Sequence, residues 1–544
     1  AARLKGDHGG RAQPALIEIL LTRAGPRPTA RAYAGRVSAD STASSQPRTT
    51  DIPLTNAARW RAFAVAAGVA AITILDLSKV NVALPSIEQA LGAGSTELQL
   101  IVSGYVLTFG LFLVPMGRLG DQRSRRALFL VGLILFTLSS FACALAPNII
   151  VLMVFRLLQG VAAGIQMPQV LGLIQQIFQG AERGRAFGLF GATIGLATAF
   201  GPTLGGLMIA LGGPNDGWRW IFWMNVPLGI AAIAAAVWVL PTTRVPTGRR
   251  IALDPVGVVL FGITVLALMW PFLFTTGSPD DDPRRWWLLT VFLVFAALFV
   301  AWERRYAARG HAPLIPFTLF RIASYRNGTL LATSYFAALP ALFLLTTLYL
   351  QTGLELEPVF AGMVTIGFAL PSALASWVGG NLVTRIGRPL VVGGLIMVLV
   401  SAVGLVIVAV FASPELTPWL MGTVMILGGL GGGLVISPNQ TLALADVPVS
   451  EGGLAGSVGQ LGQRIGTAVG TAVALALFYA TIYRETGSRD SLVVYHDAYL
   501  IGMSSVAVFI ALSFIVSIVD LSRRRAAARD AESDESDEHR AGPT

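Results

Sequence analysis

Apolar runs of roughly 20 residues recur along most of this chain, separated by short polar gaps. That pattern leaves few folds open. A run of this length crosses the hydrocarbon core of a bilayer as one helix, and a helix satisfies its own backbone polar groups. A soluble fold has too little interior to hide so much apolar surface. Hydrophobic residues make up 54% of the chain and charged ones only 13%, about half the usual share of a soluble domain. The mean hydropathy is +0.68. The fold class is therefore an all-α polytopic membrane protein.

Fourteen spans are predicted, at approximately 62–87, 97–118, 126–146, 149–176, 184–211, 218–240, 253–275, 286–306, 325–351, 358–384, 388–411, 416–443, 452–483 and 495–520. Residues 1–58 are rich in Ala, Arg, Pro, Ser and Thr and read as a disordered basic tail without a signal peptide. Residues 523–544 begin basic, turn acidic and read as a second disordered tail. Between spans 8 and 9 lies 307–326, basic and apolar patches around two prolines. It reads equally as an interfacial segment or as an ordinary linker.

Arginine placement sets the expected orientation. With the N-terminus inside, the inner segments hold 22 arginines, whereas the outer loops hold five: Arg219, Arg284, Arg285, Arg484 and Arg489. Both termini are thus expected in the cytoplasm of a plasma (inner) membrane protein. Trp218, Trp220, Trp223, Trp286, Trp287 and Trp419 fall at proposed outer ends, where interfacial aromatics belong.

Several function classes drop out. The net charge of +9 comes from loop arginines that report topology, not from a nucleic-acid footprint. The single cysteine, Cys143, and four scattered histidines offer no disulfide and no metal set. No HExxH, GxxxxGK[ST] or GxSxG pattern occurs, so neither an enzyme nor a cofactor is expected. GGLGGG, residues 428–433, lies inside an apolar span and reads as close helix packing. The expected partners are protons, a small-molecule substrate and the lipid bilayer, with the chain acting as a monomer.

The loop after span 2, GRLGDQRSRR at 117–126, is a tight inner turn. Gly117 and Gly120 permit close helix approach, and Asp121 can accept from arginines or from a helix N-terminus. The segment resembles the signature loop of the major facilitator superfamily, GxxxD(R/K)xG(R/K)(R/K). Gly117, Asp121, Arg125 and Arg126 match; Gln122 and Ser124 depart from the pattern. RLLQGVAAGIQMP (156–168) is similar to a second motif of that family. GLATAFGPTLGG (195–206) is similar to its antiporter motif through Gly195, Gly201, Pro202, Gly205 and Gly206, with Ala197 where glycine is common. LDLSKVNVALPSI (75–87), PLIPFTLFR (313–321) and GQRIGTAVGTAV (462–473) look like the fourteen-helix drug:proton antiporter branch. GNLVTRIGR (380–388) looks like a degenerate second copy of the signature loop, with Thr384 in place of Asp. The resemblance covers about residues 60–522.

It implies two six-helix halves, 59–240 and 327–522, with two inserted helices in 241–306 and alternating access between the halves. It implies that the span 5 motif packs against the other half, with Pro202 permitting a kink. The function it implies is proton-coupled export of small amphipathic compounds. A dedicated exporter of one metabolite, lipid or peptide is the alternative, and a receptor or sensor on the same fold is the alternative of another class.

Asp76 is the only carboxylate deep in an apolar run; the others fall at span ends, in loops or in tails. It is the candidate proton-coupling group, the bland alternative being a structural charge pair. Lys79 follows at i+3, within reach. Arg156 and Asp76 sit at depths of about 10 and 14 Å below their outer helix ends, which predicts a contact between them with Gln159 one turn away. Lys79 either snorkels to the outer interface or faces the cavity. With Arg464 in span 13 these groups sum to +2, an odd interior for a pump of lipophilic cations, so neutral, zwitterionic and anionic substrates stay open. Gln166, Gln169, Asn225, Asn439, Gln440 and Gln463 are candidate cavity residues, each of which also suits a helix–helix hydrogen bond.

Overall fold

The computed structural model describes residues 55–241, 254–275, 281–487 and 490–540. The N-terminal tail expected over 1–58 lies almost wholly outside the described residues, as do 242–253 of the connection into the inserted pair.

Fourteen α-helices and no strand occur among the described residues. They are α1 (Asn56–Leu91), α2 (Ser95–Gln122), α3 (Arg125–Ala144), α4 (Ile149–Ile177), α5 (Gly180–Trp223), α6 (Asn225–Val239), α7 (Pro255–Leu273), α8 (Leu288–Ala308), α9 (Ala323–Leu348), α10 (Pro358–Ile386), α11 (Arg388–Phe411), α12 (Thr417–Ala443), α13 (Gly452–Glu485) and α14 (Ser491–Arg540). Thirteen stretches are long and apolar enough to span a bilayer by themselves. A fourteenth is a bent pair, Gly180–Thr198 and Thr203–Gly213, which meet at 41°. The side chain of Pro202, expected to permit a kink, lies outside the described residues. The chain then reverses at Gly213, whose φ of 81° suits a residue without a Cβ, and the sixth span begins at Asp216.

Helix ends follow local chemistry. Ser124 accepts from the Ala127 amide at the start of α3, and Asn148 accepts from the Val151 amide at the start of α4. Within the second half, glycines let α12 approach its neighbours. A Cβ at Gly429 would lie 2.1 Å from the Phe368 carbonyl oxygen of α10, and one at Gly431 would lie 2.5 Å from that of Gly394 on α11. This is the packing role expected of GGLGGG.

The halves meet along four helix pairs, α5 with α10 and α12, and α13 with α2 and α4. The inserted α7 lies against both α2 and α13; Met269 packs where Gly110 and Leu461 approach each other. Gln99 and Ser103 of α2 donate to the Leu273 carbonyl, at 2.9 and 3.1 Å, fixing the end of α7.

Three sequence expectations change. The tail expected to be disordered from residue 523 continues α14 as helix to Arg540, consistent with its wealth of Ala, Arg and Glu, good helix formers. Residues 307–326 are partly packed into the protein, which suits either expectation for them. Leu314, Ile315 and Leu319 are buried in the first half's core, and the Ile315 amide donates to Glu303 at 3.1 Å. Trp218 is fully buried in an apolar cluster with Val80, Ile87 and Leu152, with Arg219 4.3 Å over its ring, whereas Trp287 and Trp419 are exposed as expected. Burial of acids extends beyond Asp76 to Asp254, Glu303 and Asp520. These three lie towards helix ends in the sequence, but neighbouring elements cover them.

Candidate functional site

Asp76 sits mid-helix on α1 with no solvent exposure. Its Oδ2 accepts from Arg156 Nη1 of α4 at 2.7 Å, and its Oδ1 accepts from Asn225 Nδ2 of α6 at 2.7 Å. Lys79 stands one turn along α1, its Nζ 3.6 Å from Asp76 Oδ1, and donates to Asn225 Oδ1 at 2.5 Å. Asn225 also donates to Ser140 Oγ at 2.9 Å, and that hydroxyl donates to the Phe222 carbonyl at 3.0 Å. Arg156 Nη1 donates to Gln159 Oε1 at 2.8 Å and Nε to the Ile101 carbonyl at 3.2 Å. The guanidinium lies 4.4 Å over the Tyr105 ring of α2, a cation–π contact.

The depth argument thus brings Asp76 and Arg156 together, with Gln159 beside them. Lys79 does something else than either sequence reading. It is fully buried, so it does not snorkel, and its ammonium is engaged by Asn225 and Asp76 inside one half rather than in an open cavity. The reason lies in α5. Cβ atoms at Gly201 and Gly205 would lie 2.4 Å from Ser78 Cβ and 3.0 Å from the Lys79 carbonyl oxygen. The motif glycines therefore press α5 directly onto α1 at Lys79 and leave its side chain only the route towards α6.

This corrects the expectation that the span 5 motif packs on the other half. Gly201 and Gly205 face α1 of their own half, while Gly195 and Gly206 meet nothing within 4 Å. The contact with the other half belongs to the earlier glycines of α5. A Cβ at Gly184 would lie 2.8 Å from the Gly380 carbonyl oxygen, and one at Gly188 2.9 Å from that of Ser376. One helix thus serves two partners, along a path that bends by 41° between Gly180–Thr198 and Thr203–Gly213.

At the signature-loop end the halves are bridged. Asp121 pairs with Arg125 at 2.6 Å and accepts the amides of Gly453 and Leu454, at 3.1 and 2.8 Å, at the start of α13. A carboxylate at a helix N-terminus meets free amides and the positive end of the helix dipole. The helix is not the one that follows in sequence but one more than 300 residues away. Arg125 also donates to the carbonyls of Gly172 at 2.6 Å and Val449 at 3.3 Å, and Arg126 to that of Val237 at 2.5 Å. Gly117 and Gly120 leave room that Ser457 and Gln169 fill.

The remaining candidates divide. Gln166 donates to Thr73 at 2.6 Å, and Gln169 donates to the Met116 and Ile165 carbonyls at 3.0 and 3.1 Å. Both hold helices together within the first half. Asn439 is drawn into a second ion cluster, accepting from Arg388 Nη1 at 2.6 Å; Arg388 Nε pairs with Asp520. Gln440, Gln463 and Arg464 are half-buried, and Arg464 lies 4.7 Å over Phe109. Sequence reasoning missed Ser140 and Tyr105, which complete the Asp76 cluster. Each carries a hydroxyl inside an apolar span, a signal that points to a partner without naming it.

Residues 66–471 match the Major Facilitator Superfamily. A probable actinorhodin transporter of Streptomyces coelicolor is 34% identical over 416 residues, covering 75% of this chain and 71% of that one. The multidrug resistance protein Stp of Mycobacterium tuberculosis is 32% identical over 401 residues, 72% of this chain and 71% of its own. The puromycin resistance protein pur8 of Streptomyces alboniger is 32% identical over 416 residues, covering 75% and 79%. Among solved structures, the human organic anion transporter MFSD10 (TETRAN) superimposes with a TM-score of 0.60 at 14% identity, covering 87% of this chain and all of that one. The proton:xylose symporter XylE superimposes with a TM-score of 0.57 at 13% identity, covering 86% and 95%.

Proposed function

Because the chain belongs to the Major Facilitator Superfamily, we propose that it is a proton-coupled exporter of small amphipathic compounds, working by alternating access across the plasma membrane. One relative is named as a probable actinorhodin transporter and two others for multidrug and puromycin resistance, which supports export of small compounds rather than enzymic turnover.

The observation that carries the coupling is the mid-span cluster. One carboxylate is shared by two cations, all three without solvent exposure. Protonating Asp76 removes the charge that holds Arg156 and Lys79 together, leaving two like charges in a low-dielectric site. The cluster must then rearrange, and its nearest moving part is α5, which rests on Lys79 through Gly201 and Gly205. The same helix contacts α10 of the other half through Gly184 and Gly188. Proton loading at Asp76 is thereby linked to the interface that opens and closes.

In this reading the bridged signature-loop end is the cytoplasmic one, as the arginine bias favours, and this conformation is closed there. Release of Asp121 from the Gly453 and Leu454 amides would accompany opening to the cytoplasm. The test is paired transport in proteoliposomes. Wild type should release protons against substrate uptake, and Asp76→Asn should bind substrate without coupled flux. Wild-type pH-dependent transport by Asp76→Asn would end the proposal.

A further inference from the structure

The interior carries unbalanced charge. Asp76 is shared by Lys79 and Arg156, and a third cation, Arg464 on α13, has no carboxylate within 4.0 Å among the described residues. Its guanidinium instead reaches from the second half to lie 4.7 Å over Phe109 of α2 in the first. Tyr105, one turn from Phe109, is within electrostatic range of both Arg156 and Arg464, and its buried hydroxyl has no partner. Arg156 Nη2 and Gln159 Nε2 are likewise buried and unpartnered, as is the amide oxygen of Gln460 one turn before Arg464. Of the groups just named, every one but that oxygen can donate, and two belong to cations.

A cation inside a membrane protein is costly unless paired, and stacking on an aromatic ring offsets only part of that cost. Arg464 is half-buried rather than sealed, so its charge stays open to a ligand. It also sits where α2 meets α13, at the seam between the halves. We infer that Arg464, with Tyr105, recognises an anionic group, a carboxylate or an acidic phenol or enol, on an otherwise apolar aromatic substrate. The guanidinium leaves Phe109 to take the anion through two parallel hydrogen bonds, and the freed ring face receives the substrate's apolar body. This names the substrate class of the transporter reading and rests on that reading.

Equilibrium binding to the purified full chain with three probes of one shape tests it: 1-naphthoate, 1-naphthamide and 1-naphthylmethylammonium. Naphthoate should bind about tenfold or more tightly than the other two, the ratio that one good charged pair supplies. Arg464→Gln should bring the ratio close to one, Arg464→Lys should keep part of it, and Tyr105→Phe should lower it several-fold. If Arg464→Gln does not fold, as judged by its melting temperature, the Lys and Phe variants decide. Equal binding of the three probes, or a preference that survives these variants, overturns the inference. The same probes in wild-type proteoliposomes separate this failure from the other. Movement of the amide or the ammonium without selective naphthoate binding leaves the transporter reading standing and removes the anion site. Selective, Arg464-dependent naphthoate binding with no movement of any probe removes the transporter reading instead.

Discussion

The two halves each bury one ion cluster built from an arginine, an aspartate and an asparagine, and the two are made differently. In the second half Arg388 pairs with Asp520, donates to Asn439 and reaches the Ser324 carbonyl at 3.5 Å, while Asn327 donates to Asp520 at 2.8 Å. Asn439 in turn donates to the Gly328 carbonyl at 2.9 Å. The arginine and aspartate balance, and the cluster ties α9, α11, α12 and α14 at one end of the half. In the first half one aspartate serves two cations at mid-span, and Arg156 Nη2 and Gln159 Nε2 have no partner among the described residues. A balanced cluster with its hydrogen bonds made has no reason to change. A cationic, unsaturated one is the arrangement that the proposed coupling at Asp76 requires. The contrast sets a balanced staple beside the cluster to which the proposed function assigns the switch.

The degenerate signature copy belongs to the same comparison. Arg388 occupies the place that Arg125 holds in the first copy, but Thr384 stands where Asp121 would be. The missing carboxylate is supplied from α14 by Asp520, within the same half. Asp121 instead reaches across to α13. The first copy therefore couples the halves, and the second only holds its own half together.

The largest effect should come from Asp76→Asn. Coupled transport should vanish in a proton-flux assay while the protein remains folded by its thermal melt. Next, Arg388→Ala should cost about 3–5 kcal/mol of stability by leaving Asp520 buried without its partner. Chemical unfolding in micelles reads this out, and an unchanged midpoint would break the staple reading. The double replacement Arg388→Met with Asp520→Leu should come close to wild type in both stability and transport, since well-packed apolar groups replace a balanced buried pair at little cost. Asp76→Leu with Arg156→Met should be inactive, and activity in that variant would erase the contrast. Asp121→Asn removes charge-assisted hydrogen bonds to the α13 amides and should weaken the bridge by about 1.5–3 kcal/mol. Spin-label distances across the signature-loop end should broaden. The smallest effect, about 1 kcal/mol, is expected for Thr73→Val, which takes away the partner of Gln166; transport should change little.

The sequence by itself determined the solvent of this protein, the number and place of its spans, and its superfamily. Apolar run length, arginine spacing and short motifs are local properties, written in consecutive residues. It also put Asp76 and Arg156 at matching depths, because helical rise turns residue count into distance. Only the tertiary structure decided the partners. Nothing local says that Lys79 turns to Asn225, that Asp121 reaches Gly453, that Gly201 faces α1 rather than the other half, or that Asp520 replaces an acid missing at 384. Such contacts depend on which helices lie side by side and how each is rotated. In a chain apolar on nearly every helix face, the hydrophobic pattern does not fix that rotation. It is fixed by the few small and polar residues that have to meet.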